Sequence, residues 1–454
     1  MALTKILATI GPASLSVKTI KQLIANGASG FRINTAHGDF QQYEKIIKAI
    51  RSCGTQPIIL DIKGPELRLR NDEPITLVKG KTLFFSFNKK DPIHFSHPVR
   101  GDIKKGDVLL FADGQFKAVI KTVHKNGLSL TFKSFGELGK NKTVAIPGRD
   151  IKLPALSKKD KEAITFAKKH DIEYIALSFT RNAQDVKRVL KLLNNQTGII
   201  AKIENQQGVD NAEDILRYAS GIMVARGDLG VEIQQEHIPG VQKKLLRLCN
   251  EQGKLGIVAT QVLESMVSNP VQTRAETTDI ATAVLDGADC IMLSEETALG
   301  KYPVECVKTI STVAGTIEEE FRIEGEYPAR SISQSISVAA ASFMHSNTVD
   351  KLVAITKSGY SARQVARFRL RKPLLAVTES ALVASQLNLY FGVHAYHYTP
   401  SKHKIHDVVS FLLKKKEISL QTTLLVVAGL YVEDEPQTNT LHVFKVKDIK
   451  LIKK

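Results

Sequence analysis

Eight short apolar runs, each followed by a stretch of helical period, constrain this chain more than any other feature. They are KILATIG (residues 5–11), GFRINTA (30–36), PIILDIKG (57–64), IEYIALSF (172–179), GIIAKIE (198–204), GIMVARGD (221–228), LGIVATQ (255–261) and DCIMLSEE (289–296). The segments between them, such as SVKTIKQLIANG, FQQYEKIIKAIRSCG, SKKDKEAITFAKKHD, NAQDVKRVLKLLNN and NAEDILRYAS, repeat apolar residues at helical spacing, and YPVECVKTISTVAGTIEEEF follows the last run. Strand-like runs alternating with amphipathic helices predict parallel strands joined by crossover helices. Eight such units predict an α/β chain built on a (β/α)8 TIM barrel, with an open doubly wound sheet as the alternative.

At 454 residues the chain exceeds what one hydrophobic core holds. The texture divides it accordingly. After the third run, residues 70–148 read as an inserted all-β domain, a β-barrel lid made of turn-bounded segments such as KTLFFSFN and QFKAVIKTV. The barrel is assigned residues 1–69 and 149–330, and residues 331–454 form a C-terminal α/β regulatory domain. Four cysteines, far apart and without CxxC spacing, argue against a disulfide scaffold or a cysteine zinc site. No apolar leader or eighteen-residue apolar span is seen, so a membrane partner is not expected and a cytoplasmic location is. The net charge of +17 favours anionic partners, whether phosphorylated metabolites or nucleic acid, or serves solubility alone. The insert has 14 Lys and Arg against 7 Asp and Glu, which fits a basic lid or a solvated basic β-module.

The carboxyl ends of barrel strands form one shared face, and here they end in ionisable or hydroxyl residues. The second run gives Arg32 and Asn34, the third Asp61 and Lys63, the fifth Lys202 and Glu204. The sixth gives Arg226 and Asp228, the seventh Thr260, and the eighth Ser294 and Glu296. Singly, each reads as a strand-end salt bridge. Together they are too many buried charges to leave without a ligand or metal. Glu204 and Asp228 suit a hard divalent ion such as Mg2+. Lys202, two residues from Glu204, shares its face and is suited to neutralise a phosphoryl group or a developing enolate. Gly227 lets a substrate carboxylate approach backbone N–H groups.

The segments TKILATIGPAS, FRINTAHG, LDIKGPELR, LPALSKKD, AKIENQQGV, GIMVARGDLGVEI, ATQVLESM, TRAETTDIATAVLDGADCIMLSEETALGKYP and TKSGYSARQVARFR resemble the pyruvate kinase family, from Thr4 almost to the C-terminus. MVARGDLG with ATQVLESM is highly specific. The resemblance implies transfer of a phosphoryl group from phosphoenolpyruvate to ADP, giving pyruvate and ATP. It implies Mg2+ on Glu204 and Asp228, and Lys202 on the transferring phosphoryl and the enolate oxygen. Substrate is then held by Arg32, Gly227, Asp228 and Thr260, with Thr260, Ser294 and Glu296 near the proton-delivery path. Arg68 and Lys142 match nucleotide-phosphate residues, with His37 and Pro12 near the nucleotide, and the insert is implied to close as a lid. A homotetramer is implied as well.

Departures from the family pattern bear on two sites. The family's K+ site uses an Asn, a Ser hydroxyl, an Asp and a Thr carbonyl. Here Asn34 and Asp61 stand, Ala36 replaces the serine, and Ile62 offers the backbone carbonyl. Glu66 keeps the acid associated with K+ dependence, so K+ activation is expected, weaker than with serine. Glu295 in SEET stands where the family has glycine. In the C-terminal domain Thr356, Lys357, Ser358 and Ser361 resemble the effector-phosphate loop for a sugar phosphate, with Tyr360 where arginine is common; an unliganded turn is the alternative. Two rival functions remain. A Mg2+-dependent lyase of the phosphoenolpyruvate/pyruvate type needs neither Lys142 nor the lid. A nucleic-acid binder accounts for the charge but is opposed by the clustered carboxylates, and no nucleic-acid partner is expected.

Overall fold

The computed structural model describes residues 2–64, 66–99, 103–149, 151, 153–154, 156–193, 196–321, 327–346, 348–401, 404–429 and 438–449. Eight parallel strands close a barrel: Lys5–Thr9, Ala28–Asn34, Ile58–Ile62, Tyr174–Leu177, Gly198–Ile203, Gly221–Ala225, Leu255–Ala259 and Cys290–Leu293. Each strand pairs with its sequence neighbours, and the first pairs with the eighth. The alternative of an open sheet is thereby excluded. The runs are apolar throughout because both strand faces are buried. Leu7, Ile59, Ala176, Ile200, Met223, Ile257 and Met292 point inward, while Ile6, Leu60, Ile175, Ile199, Ile222, Val258 and Ile291 pack under the helices.

The outer helices begin where capping chemistry allows. Ser157 and Asp160 form a reciprocal capping box on the helix Lys158–Lys169, and Thr273 with Glu276 does the same for Arg274–Leu285. Every strand ends short of its apolar run, and the sixth and eighth end furthest short. The sixth ends at Ala225, and Arg226–Glu232 is a short helix, so Arg226 and Asp228 lie on helix rather than strand. The eighth ends at Leu293 and is followed by the helical turn Glu295–Ala298. In each case a side chain captures an N–H group a longer strand would need: Gly227 N–H donates to Thr260 Oγ1 of the seventh strand's end, and Ser294 N–H to Glu296 Oε2 two residues on.

The insert holds a seven-stranded, largely antiparallel sheet with a two-stranded companion. Its terminal strands Leu69–Asn71 and Val144–Ala145 meet through a bridge between Arg68 and Thr143, with Leu69 N–H on Lys142 O and Val144 N–H on Leu67 O, both 2.9 Å. The sheet therefore curls back on itself around a core rich in phenylalanine, including Phe85, Phe95, Phe111 and Phe132. The seam sets Arg68 and Lys142 side by side.

The C-terminal unit is a five-stranded sheet. Val393–His397, Leu374–Thr378, Lys351–Ile355 and Thr423–Ala428 are parallel, and Thr440–Lys445 is an antiparallel edge. It packs against the amino-terminal end of the barrel. Its buried residues Leu389 and Tyr390 join the barrel-interior residues Leu7, Ile59 and Tyr174 in one apolar cluster. Among the described residues no helix is long and apolar enough to cross a membrane, and all four cysteines are free.

Candidate active site

At the carboxyl end of the barrel every strand contributes to one rim of largely hydrogen-bonded groups. Thr9 Oγ1 on the first strand donates to Leu293 O on the eighth (2.7 Å) and accepts from Arg32 Nη1 on the second (3.1 Å). Arg32 Nε donates to Asp61 Oδ2 on the third (2.8 Å). Ser178, just beyond the fourth strand, donates to Asp61 Oδ1 (3.2 Å) and accepts from Lys202 Nζ on the fifth (2.8 Å). Lys202 Nζ also lies 3.3 Å from Asp61 Oδ2 and 2.8 Å from Glu204 Oε1. Gly227, after the sixth strand, donates to Thr260 Oγ1 after the seventh (2.8 Å).

Geometry and burial set the charges. Burial alone would discharge Lys202, but Asp61 and Glu204 outweigh it and hold its pKa above the ordinary value, so the ammonium is charged at neutral pH. Asp61 is likewise buried, yet Lys202 and Arg32 hold its carboxyl below the usual range. Glu204 and Asp228 go the other way. Burial raises both, Lys202 only partly offsets it, and Asp228 repels Glu204 while Asp113 of the insert repels Asp228. Glu204 Oε2 accepts the Phe179 N–H at 2.6 Å, but the buried Oε1 receives no directed hydrogen bond. Two neighbouring buried acids whose charge is disfavoured, one with an oxygen met only by the Lys202 ammonium at 2.8 Å, form a donor set that a divalent cation fits.

Strain marks the same rim. Phe179, Thr260 and Gln261 all adopt left-handed backbone conformations, with φ of 52°, 66° and 54°. Such residues cost on the order of 1–3 kcal/mol each and persist only where their surroundings hold them. Gly64, with φ +65°, is required after the third strand: a Cβ there would sit 2.4 Å from Ser178 O. A cavity of about 410 Å3 lies between insert and barrel, lined by Leu110, Asp113 and Thr143 on one side and Phe179, Asp228 and Glu232 on the other.

The remaining sequence candidates are distributed as follows. Ser294 Oγ is buried without a partner. Glu296 uses both oxygens on backbone, accepting from Leu263 N at 3.1 Å and Ser294 N at 2.6 Å, and so braces the turns after strands seven and eight. Arg68 is clasped by Glu66 (2.7 and 2.9 Å) and donates to Asn141 O at 2.6 Å, beside exposed Lys142. His37 and Pro12 are exposed on the loops after strands two and one. Of the K+ candidates, Asn34 Oδ1 accepts the Ala36 N–H at 3.0 Å, Ile62 O accepts Ser178 N–H at 3.3 Å, and Asp61 is shared by Arg32 and Lys202. In the C-terminal unit Thr356 is buried, Lys357 and Ser358 are exposed, and the buried Ser361 hydroxyl bonds the Thr438 hydroxyl. Sequence reasoning missed Ser178, whose signal was a hydroxyl at the end of IEYIALSF, the fourth run, which was assigned no site residue.

A TIM barrel whose carboxyl face joins a charged lysine, an arginine and two buried carboxylates beneath a β-domain has the make-up of a barrel enzyme site. Residues 1–307 match the family described as pyruvate kinase, barrel domain, and residues 334–444 that described as pyruvate kinase, alpha/beta domain. The chain is 38% identical over 480 residues to a pyruvate kinase of Bacillus licheniformis and 36% identical over 476 residues to one of Sporosarcina psychrophila. Each alignment covers 99% of this chain and 81% of the relative. A crystal structure of a pyruvate kinase from Cryptosporidium parvum superposes with a TM-score of 0.91 at 31% identity, covering 98% of this chain and 96% of that one. The chain belongs to the pyruvate kinase family, and is a phosphotransferase.

Proposed function

We propose that this chain transfers the phosphoryl group of phosphoenolpyruvate to ADP, giving pyruvate and ATP, with the chemistry at the carboxyl end of the barrel. The observation that carries the reading is Lys202, a buried ammonium held charged 2.8 Å from Glu204 and 3.3 Å from Asp61. Phosphoryl transfer needs positioning and charge neutralisation more than covalent help. Lys202 and Arg32 supply fixed positive charge where the phosphoryl and the enolate oxygen develop negative charge. Thr260 and Gly227 hold the substrate, and Thr260 with the unpartnered Ser294 hydroxyl offers a route for the proton that reaches the enolate carbon. Arg68 and Lys142, joined at the seam of the insert, meet the nucleotide phosphates, with His37 and Pro12 beside the nucleotide. The insert, residues 70–148, acts as a lid that excludes water over the cavity.

Glu204 and Asp228 would hold Mg2+, which would supply Lewis-acid neutralisation of substrate oxygens. K+ is assigned to Asn34, Asp61 and the Ile62 carbonyl. That set is one oxygen short, because Ala36 carries a methyl where a hydroxyl would complete it, and K+ activation is correspondingly weak. The same reading brings a cytoplasmic homotetramer and a sugar-phosphate effector at Thr356, Lys357, Ser358 and Ser361 of the C-terminal domain. A coupled assay of pyruvate release from phosphoenolpyruvate and ADP, with and without Mg2+ and K+, tests it. Mg2+-dependent release that requires ADP is the expected result; consumption of phosphoenolpyruvate without ADP, or none at all, contradicts it.

A further inference from the structure

Arg226 has no part in the chemistry just described, yet its guanidinium makes two bonds to the Thr260 carbonyl and a third to the next one. Its side chain is 9% exposed. Nη2 donates to Thr260 O at 2.9 Å and to Gln261 O at 3.0 Å, and Nε adds a longer bond to Thr260 O at 3.3 Å. On the opposite edge Nη1 donates to Asp279 Oδ1 at 2.6 Å and approaches Gln242 Oε1 at 3.5 Å. Gln242 is itself fixed, its Nε2 donating to Asp286 Oδ2 at 3.0 Å. Asp279 and Asp286 belong to the outer helix Arg274–Leu285 and its cap, and Gln242 to Ile238–Gln252.

Thr260 and Gln261 are two consecutive non-glycine residues in left-handed conformation, as are Ala112 and Asp113 of the insert, and both carbonyls of the 260–261 pair meet one planar guanidinium. A rigid fork can take two carbonyls and a carboxylate at once, whereas an ammonium on a flexible stem is a point donor. The adjacent residue grips the same threonine from its other side, Gly227 N–H donating to Thr260 Oγ1 at 2.8 Å. The Thr260 hydroxyl proton is directed to Ala259 O at 2.6 Å. Residues 226 and 227 therefore fix Thr260 at its carbonyl and at its hydroxyl.

We propose that Arg226 is a positioning residue: braced by Asp279 and Gln242 from the outer helices, its guanidinium holds the 260–261 turn left-handed and so sets the Thr260 hydroxyl at the reacting centre. The proposal rests on the phosphotransfer reading, which gives Thr260 its task. It makes the packing of two outer helices a determinant of turnover through side chains that need not touch substrate.

A double-mutant cycle tests it, read as kcat and KM for phosphoenolpyruvate in full-length enzyme. Arg226→Lys is expected to lower kcat by about 10²-fold, the scale of a small misplacement at a reacting centre, with KM changed only a few-fold. In the Thr260→Ala background the same substitution is expected to cost nothing further, because the group it positions is gone. Additive losses overturn the proposal, since they mean Arg226 supports the fold rather than Thr260. Asp279→Asn, which keeps Arg226 and removes its brace, guards against a misfolded lysine variant. It is expected to lower kcat by about 10-fold in the wild type and not at all with Thr260→Ala. Wild-type kcat in both Arg226→Lys and Asp279→Asn also overturns it. An unsubstituted enzyme that shows no ADP-dependent pyruvate release overturns the phosphotransfer reading first, so the two failures are told apart.

Discussion

The two ends of the barrel hold comparable buried charges, and they treat them oppositely. At the amino-terminal end Glu173 takes both Arg51 contacts at 2.8 Å, the Ile58 N–H at 2.8 Å and the Ser385 hydroxyl at 2.9 Å. Asp289 takes Arg369, the Gly256 N–H at 2.9 Å and the Phe391 N–H at 3.0 Å. Ser385, Arg369 and Phe391 come from the C-terminal unit, so these acids pin that unit to the barrel. At the carboxyl end Glu204 Oε1 is met only by the Lys202 ammonium at 2.8 Å, and both Glu204 and Asp228 have raised pKa values. At the amino-terminal end the two acids are satisfied, although Arg369 Nε there has no hydrogen-bond partner and burial lowers the pKa of the Lys5 ammonium to about 8. The carboxyl end keeps two neighbouring acids whose charge burial disfavours, at the end where a barrel carries its chemistry.

The contrast breaks most visibly at Lys202. Lys202→Met should lower kcat by about 10³-fold while leaving substrate and metal binding largely intact, because the lost charge acts on the transition state. Single-turnover and steady-state kinetics check this, and wild-type turnover would remove Lys202 from the mechanism. The converse belongs to Asp289. Asp289→Ala strands Arg369 as a buried unpaired cation and should cost about 3–5 kcal/mol in urea unfolding, while kcat per folded molecule stays within a few-fold. A stability near that of the wild type contradicts the structural role.

A third effect is pH-dependent. Because the Glu204 carboxyl is raised in the folded state, the protonated acid stabilises the metal-free protein at low pH. That contribution is lost as pH rises from the ordinary carboxylate range through the raised value, and Mg2+ can then replace the proton. The Mg2+-induced rise in Tm should therefore be larger at about pH 8 than at about pH 5.5. Equal shifts at both pH values would separate Glu204 from the metal. The smallest effect is at the monovalent site, where Ala36→Ser should strengthen K+ activation a few-fold by adding one oxygen; superimposable K+ titrations of the two proteins discard that assignment.

The barrel was legible because both faces of each strand are buried, which writes a continuous apolar run, and the helices between are amphipathic. Lys202 and Glu204 were legible because a period of two puts them on one face, and they lie 2.8 Å apart. The early end of the sixth strand was not legible. Its cause is the Thr260 hydroxyl capturing Gly227 N–H across 33 residues, and no local propensity encodes that. The left-handed turn at Thr260 and Gln261 was hidden for the same reason, since neither residue is glycine and Arg226 imposes it from a neighbouring strand end. Glu173 and Asp289 open their runs where catalytic acids close theirs, and position along the strand was the only clue to their structural role. Asp61, assigned to K+ from the resemblance, also bridges Arg32 and Lys202, a link that appears only once the third and fifth strands flank the fourth.

The central claim is that Glu204 and Asp228, with Lys202 beside them, converge on one divalent cation. Mn2+ binding followed by the electron paramagnetic resonance of the free ion tests it directly in the wild type, Glu204→Gln, Asp228→Asn and the double variant. The account predicts that each single substitution weakens binding by about 10-fold or more and that the double variant retains no tight site. Wild-type Mn2+ affinity in the double variant would contradict it.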